Sequence, residues 1–247
     1  MLKNFYKNKS NSGLASPKSQ GNEGGVTLIE LIVVISIFLV MSLIVLFNYG
    51  QFRSATSIQN LADDIALSVR KAQSYAIGVR GSSSAFDFGY GVHFSLNSVT
   101  KNYFGSNKLF LIFANINNNM TYDYDKSNEC GKPTAENECL EALKITSADV
   151  ISNIYLGYSK DNEKAIDKND LVEIFFNRPN PEPIFCYKKN TSSANDTTAL
   201  PDDLPPIPPG CDQKDVIYYI KIEISNISDP NVLKIITIWN NGQISVT

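Results

Sequence analysis

The sequence predicts an α+β protein in which a long N-terminal helix precedes an antiparallel sheet. Helical periodicity, with no proline between Pro17 and Pro133, predicts the helix. A later series of short segments rich in β-branched and aromatic residues predicts the sheet. Four cysteines in the second half of the chain lead us to expect disulfide-tied loops as well.

The helix begins in an apolar stretch that is long enough to cross a bilayer. Leu31 to Phe47 gives 17 consecutive residues without a charge, and Val26 to Tyr49 gives 24 residues, or about 36 Å of helix. Residues 1–25 carry a net charge of +3, whereas the remainder carries −6. Because basic flanks stay in the cytoplasm, we expect a cytoplasmic leader at 1–25 and a single span of the cytoplasmic (inner) membrane at 26–50.

The second part of the helix, residues 51–80, changes from uniformly apolar to amphipathic. Polar residues occupy the other faces, and glycines at 78 and 81 predict an end near residue 79. Gly50 is the weak point of the helix, since an interior glycine costs about 1 kcal/mol relative to alanine. The apolar residues that recur at spacings of three and four are Ile58, Leu61, Ile65, Val69, Ala72 and Ala76.

Residues 81–247 are expected to form a β-rich domain outside the cytoplasm. Alternation of apolar and polar residues, clearest from Ile217 to Ile224, predicts a half-buried antiparallel sheet. Asn240, Asn241 and Gly242 predict a tight hairpin, because Asn and Gly tolerate positive φ. The predicted strands are Tyr90 to Leu96, Leu109 to Ile116, Val150 to Tyr158, Leu171 to Asn177, Pro183 to Lys188, Val216 to Ser225, Val232 to Asn240 and Gln243 to Val246.

All four cysteines lie in loop-like stretches, which favours two disulfides formed outside the cytosol. Three connectivities are possible. Pairing Cys130 with Cys139 and Cys186 with Cys211 closes the shortest loops, at about 118–142 and 189–215, for the least entropy. A zinc site is disfavoured because no C-x-x-C pair exists and His93, the single histidine, lies far away in sequence.

One acid, Glu30, interrupts the apolar stretch within the sequence Gly-Gly-Val-Thr-Leu-Ile-Glu-Leu at 24–31. A carboxylate at membrane depth costs roughly 2.5–3.5 kcal/mol, so it normally marks a function and needs a partner. Cleavage between Gly25 and Val26 would create an ammonium group four residues before Glu30, on the same helix face. Between staggered neighbouring helices, this charge pair would set the register of a filament.

At these residues the chain resembles the type IV filament family, which comprises type IV pilins and the pseudopilins of type II secretion. Val26 replaces the Phe that usually follows the cleaved glycine. The resemblance implies a pilin fold, cleavage after Gly25 by a prepilin peptidase and N-methylation of Val26. It further implies assembly with other pilin or pseudopilin subunits on an inner-membrane platform. The alternative is an uncleaved signal anchor with a chance glutamate.

A weaker resemblance links Ile65 to Arg80 and the C-terminal LKIITIWNNGQISV to minor pseudopilins of the H type and related minor pilins. Some members of that group bind DNA through a basic segment near the terminal hairpin. Here Asn240 to Ser245 contains no Arg or Lys, and the mature chain is acidic, so nucleic acid is an unlikely partner. The expected function is therefore that of a structural filament subunit. The alternative is a DNA- or surface-ligand-binding minor pilin in competence or adhesion.

No motif indicates an enzyme, a cofactor or a metal site. His93 lacks an evident catalytic partner in sequence and is expected to be structural. Asn115, Asn117, Asn119, Asp123 and Asp125 offer calcium-compatible oxygens, but their spacing lacks the Gly and the bidentate Glu of an EF-hand, which favours an Asn-rich turn. Asp161 to Asp170 is expected to be a solvated loop. Core positions are expected for the aromatic residues Phe86, Phe88, Tyr90, Tyr103 and Phe104.

Overall fold

The computed structural model describes residues 25–78, 88–97, 106–123, 130–134, 137–159, 162–189, 210–213 and 215–247. Within them, one helix precedes a series of antiparallel strands, which confirms the α+β class. The elements are α1 (Leu28–Ile77), β1 (Tyr90–Ser95), β2 (Leu109–Ala114), β3 (Cys139–Lys144), β4 (Asp149–Ser159), β5 (Asn162–Ala165), β6 (Leu171–Phe176), β7 (Pro183–Lys188), β8 (Tyr219–Asn226), β9 (Leu233–Trp239) and β10 (Ile244–Val246).

The strands form two sheets of five, where the sequence led us to expect one. The first sheet has the order β3-β2-β1-β6-β7, and the second has the order β10-β9-β8-β4-β5. All neighbouring strands are antiparallel. Strand periodicity shows which side chains share a face, but it does not show which strands pair, and so the division into two sheets was not predictable.

The chain divides into two compact units, Met1–Asn48 and Tyr49–Thr247. In the first unit, the large apolar side chains from Val26 to Phe47 are each 48–82% exposed. The described part of this unit therefore has no apolar core of its own.

The second unit contains a complete hydrophobic core built from one helix face and both sheets. The amphipathic pattern of α1 is confirmed, because its predicted apolar positions are buried and Asn60, Asp63, Asp64 and Arg70 are exposed. In β8 the isoleucines at 220, 222 and 224 are fully buried while Lys221 and Glu223 face outward. The helix contributes Ile58, Leu61, Ala62, Ile65, Val69, Ala72 and Ala76 to the core.

Polar contacts fix this part of α1 along its length. Near one end, the Ser57 hydroxyl donates to the buried carboxylate of Asp149, which also accepts from Ser147 at 2.6 Å and from Asn226 at 2.7 Å. At the C-terminal end, the Arg178 guanidinium donates to the Gly78 carbonyl at 2.8 Å. A cation at this position complements the negative end of the helix dipole.

The predicted hairpin between β9 and β10 is confirmed. The Gly242 N–H donates to the Trp239 carbonyl at 2.9 Å, and Gly242 has φ = +82°. A Cβ on this glycine would also lie 3.1 Å from the Pro181 carbonyl oxygen. Both the backbone conformation and the close approach therefore require glycine here.

Two strands were missed by the sequence analysis. Cys139 begins β3 although it was expected in a loop, and β5 lies within the stretch 161–170 that was expected to be a solvated loop. Their sequences, CLEALK and NEKA, lack strong β-formers, and both strands lie at sheet edges. Cross-strand pairing overrides the weak local preference in both cases.

The helical core position Ile65 and the exposed Leu67 provide a matched test of the packing. Ile65→Ala should lower the free energy of unfolding by about 2–5 kcal/mol, because it leaves a cavity in the core. Leu67→Ala should change it by less than about 0.5 kcal/mol, since Leu67 is 63% exposed. Urea unfolding in detergent, followed by the fluorescence of Trp239, measures both. Equal losses in the two variants would contradict the assigned helix face.

Candidate functional site

The predicted cleavage bond lies in an exposed stretch just before α1. Gly25, Val26 and Thr27 are all non-helical and exposed. Apart from its two chain neighbours, no described residue has an atom within 4 Å of the position that a Cβ on Gly25 would take. The peptide bond after Gly25 is therefore exposed within the described part of the chain. Residues 1–24 of the predicted leader lie outside the described residues.

The helix begins two residues later than the sequence analysis predicted, because Thr27 caps it. The Thr27 hydroxyl accepts the backbone N–H of Glu30 at 3.3 Å, and the Thr27 carbonyl accepts the N–H of Leu31 at 3.1 Å. Thr27 and Glu30 have the spacing of a capping box, a signal that the sequence analysis overlooked. Val26 therefore lies before the helix, so Val26 and Glu30 do not lie one helical turn apart in this structure.

Glu30 lies in the first turn of α1, at the positive end of the helix dipole. It is the one charged residue between Gly25 and Phe47. Among the described residues, no cation forms an ion pair with its carboxylate. Glu30 thus lies at the start of the helix, and no described cation neutralises its charge.

By length and composition, α1 is able to cross a membrane. Its most apolar 18-residue window has a mean hydropathy of 3.0 and is 0% buried. Within the described residues, no protein surface covers this window. The length and composition of this segment are therefore compatible with a membrane span.

Two disulfides restrain the second unit, and the neighbour pairing favoured by loop closure is confirmed. Cys130 is bonded to Cys139 with their Cα atoms 4.8 Å apart, and Cys186 is bonded to Cys211 with theirs 5.3 Å apart. The second bond holds residues 211–213 along the edge strand β7, where Gln213 donates to the Phe185 carbonyl and accepts from the Tyr187 N–H. This segment covers backbone groups that would otherwise form an open sheet edge.

The loop 115–123 is an Asn-rich turn whose oxygens are used within the loop. The Oδ1 atoms of Asn115, Asn117 and Asn119 each accept a backbone N–H, from residues 120, 119 and 121. The Asp123 carboxylate accepts the side-chain amides of Asn117 and Asn119. These oxygens point at protein donors rather than at a common ligand. Asp125 lies outside the described residues.

Glu138, which the sequence analysis did not single out, anchors this loop from beneath. Its buried carboxylate accepts the backbone N–H groups of Ile116 at 2.7 Å, Asn117 at 3.3 Å and Asp123 at 3.2 Å. Burial raises the pKa of Glu138 from 4.5 to about 7, although these hydrogen bonds favour the ionised form and lower the pKa. Desolvation is thus the larger effect.

His93 has an acid partner that sequence separation concealed. It lies opposite Glu173 across β1 and β6, with Nδ1 3.2 Å from Oε1. Both side chains are at most 2% exposed, and the Tyr122 ring lies 5.0 Å from the imidazole. The same Oε1 accepts the Tyr122 N–H at 2.9 Å. A pair sealed beneath this loop has no access to substrate, which favours a structural role.

Some of the other residues that the sequence analysis singled out lie within the described part of the chain. Phe88 and Tyr90 are buried as expected, whereas Phe86, Tyr103 and Phe104 lie outside the described residues. The described part of the chain contains no group of three or more His, Cys, Asp or Glu side chains able to hold a metal ion. The exposed hairpin at 240–243 presents amides and no basic side chain.

Comparisons with protein-family models, with curated proteins and with solved structures give no match to this chain. The functional argument therefore rests on its own residues.

The Glu138 carboxyl makes stability depend on pH in a predictable direction. Between pH 4.5 and about 7 the folded chain keeps a proton that the unfolded chain has lost. The free energy of unfolding should therefore fall as pH rises through this window, by about 1–3 kcal/mol relative to Glu138→Gln. Urea unfolding of the two proteins at several pH values measures the difference. The exposed control Glu182→Gln should follow the wild type, and parallel wild-type and Glu138→Gln curves would refute the assignment.

Proposed function

We propose that this chain is a structural subunit of a type IV pilus-like filament or a type II secretion pseudopilus. The observation that carries the proposal is a single carboxylate, Glu30, in the first turn of a helix whose apolar side chains are exposed on all sides up to Phe47. The exposed bond between Gly25 and Val26 lies just before it. This combination corresponds to the processing and assembly motif of the type IV filament family.

Assembly from the membrane follows from the chemistry of the apolar segment. Before assembly, lipid surrounds residues 26–47, and in a filament the corresponding segments of other subunits replace it. Exchange of one apolar environment for another is nearly neutral in hydrophobic free energy. A subunit of this kind can therefore be extracted from the bilayer by a separate motor without exposing the segment to water.

Removal of residues 1–25 supplies the missing counter-charge. The new ammonium group would be that of Val26, next to Thr27, which caps the helix. Removal of residues 1–25 also frees the chain start to approach Glu30 of the same or a neighbouring subunit. In surroundings of low dielectric, an unpaired carboxylate is costly and a misplaced pair is little better. The pair would thus favour one axial stagger between subunits over others.

The second unit would then form the exposed part of the filament outside the cytoplasm. Its two disulfides suit an oxidising compartment. The basic leader and the acidic remainder give the matching orientation across the membrane. We propose no nucleic-acid partner, since the exposed terminal hairpin lacks basic groups.

Cleavage provides the most direct test. In cells that contain a prepilin peptidase, intact-mass and N-terminal peptide spectra should show a chain that begins at methylated Val26. Gly25→Val, which changes only the residue before the bond, should accumulate with residues 1–25 attached. A wild-type chain that retains Met1 in such cells would exclude the proposal.

Substitution of Glu30 separates the effect of its charge from the effect of the helix cap at Thr27. Glu30→Gln keeps a side chain suited to a capping box but removes the charge. It should insert and be cleaved normally, yet its recovery in sheared filaments should fall by roughly tenfold or more, because it leaves an ammonium group unpaired.

The control is Thr27→Ala, which weakens the helix cap by about 1 kcal/mol and keeps the charge. It should assemble nearly as well as the wild type. Normal filament recovery for Glu30→Gln, with a defect in Thr27→Ala, would mean that the Thr27 helix cap matters for assembly and the charge of Glu30 does not.

A further inference from the structure

The second sheet carries an aromatic groove at the end where β4 and β9 finish and β8 begins. The groove has a volume of about 650 Å³. It is lined by Tyr158, Tyr218, Tyr219 and Trp239 and by the charged residues Glu163 and Lys221, and Tyr158 also packs partly against the hydrophobic core. All of these residues belong to the second unit of the chain.

The floor of the groove is fixed by a row of residues across four strands. Trp239 lies opposite Tyr219, and Gly157 pairs with both Tyr219 and Glu163. The Tyr219 ring covers Gly157 so closely that a Cβ there would lie 2.2 Å from the ring. The Tyr219 hydroxyl donates to Glu163 at 2.6 Å. Glycine at 157 thus lets the ring lie flat against the sheet.

An ion pair lies at the β5 end of this row, at Glu163. Lys221 is bonded to Glu163, and its ammonium group lies 5.3 Å from the Tyr219 ring centroid. The Lys221 ammonium and the Tyr219 hydroxyl both lower the pKa of Glu163, so its carboxylate is charged at neutral pH. The groove therefore offers a carboxylate and an ammonium group without a net charge.

Two aromatic residues of the groove lining remain open to solvent. Trp239 is 37% exposed and Tyr218 is 44% exposed, whereas Tyr219 is only 5% exposed. Among the described residues, no acceptor takes the Trp239 indole N–H, although an indole usually finds one when it is covered. The exposed amide of Asn240 lies beside it.

We propose that this groove binds a neutral saccharide. A sugar ring has an apolar C–H face, which suits the open faces of Trp239 and Tyr218, and a rim of hydroxyls that both donate and accept. The carboxylate of Glu163 accepts, the Lys221 ammonium and the Trp239 indole donate, and the Asn240 amide does both. The arrangement thus matches the two kinds of surface on one ligand.

Charge argues against other occupants. Phosphate-bearing ligands and nucleic acids require an excess of basic groups, and the paired Glu163 and Lys221 provide none. A proline-rich peptide would contact the aromatic rings alone and make no use of the Glu163–Lys221 pair. Only the saccharide uses both parts of the groove.

The single tryptophan of the chain lies in this groove, so its fluorescence reports on the site directly. The full chain in a detergent without a sugar headgroup should show a saturable change with cellotetraose or chitotetraose. Sorbitol, which has hydroxyls but no rigid ring face, should give none. Tyr218→Ala and Glu163→Gln should weaken saccharide binding by roughly tenfold.

Leu233→Ala is the matched control, because Leu233 is exposed at the other end of the same strand as Trp239. It should bind like the wild type. Calorimetry extends the comparison to Trp239→Ala, which should not bind measurably.

Three results would overturn the proposal. One is the absence of a saturable response to both tetrasaccharides by a chain with the wild-type unfolding midpoint. The other is a response to a peptide of residues 204–210, which contains four prolines, in place of the sugars. Tetrasaccharide binding that survives in Trp239→Ala would equally exclude this groove.

Discussion

The exposed apolar surface at the start of α1 is the main physical constraint on this protein. Large apolar side chains from Val26 to Phe47 are exposed on every side. Burial of each stabilises by about 1.5–3 kcal/mol, which sums to tens of kcal/mol for the segment. A domain of ordinary stability has only about 5–15 kcal/mol. Burial of this segment is therefore a large free-energy term beside the net stability of a folded domain, and it favours apolar surroundings for the segment.

The same helix changes character where the second unit begins, and this change allows the second unit to fold on a core of its own. From Ile58 to Ala76 one face is buried against both sheets, while polar side chains occupy the opposite face. Ser57 and Gly78 are each tied by hydrogen bonds to residues of the strand region. The apolar segment contributes nothing to this core. Under the proposed function, exchange of its surroundings from lipid to protein would therefore leave the core contacts of the second unit unchanged.

Patterns among neighbouring residues predicted the structural features that depend on local interactions. Alternation from Ile217 to Ile224 identified the buried face of β8, and Asn240 to Gly242 identified the last hairpin, because each depends on neighbouring residues. Long-range pairing was not predictable: β5 gains its conformation from β4, and His93 meets Glu173 from 80 residues away. The aromatic groove was hidden for the same reason, since Gly157, Tyr219 and Trp239 lie in three different strands.

The carboxylates of this chain give the strongest argument about Glu30. Asp149 accepts hydrogen bonds from three side chains, Glu138 from three backbone N–H groups, and Glu173 lies against His93 and the Tyr122 N–H. Each of these acids thus has at least one donor from its own chain, as the cost of desolvation favours, although Glu173 Oε2 has none among the described residues. Glu30 must also leave water when lipid or helices surround α1, yet among the described residues only the helix start lies near it. Under the proposed function, its partner would be the amino terminus that cleavage after Gly25 creates, in the same or a neighbouring subunit.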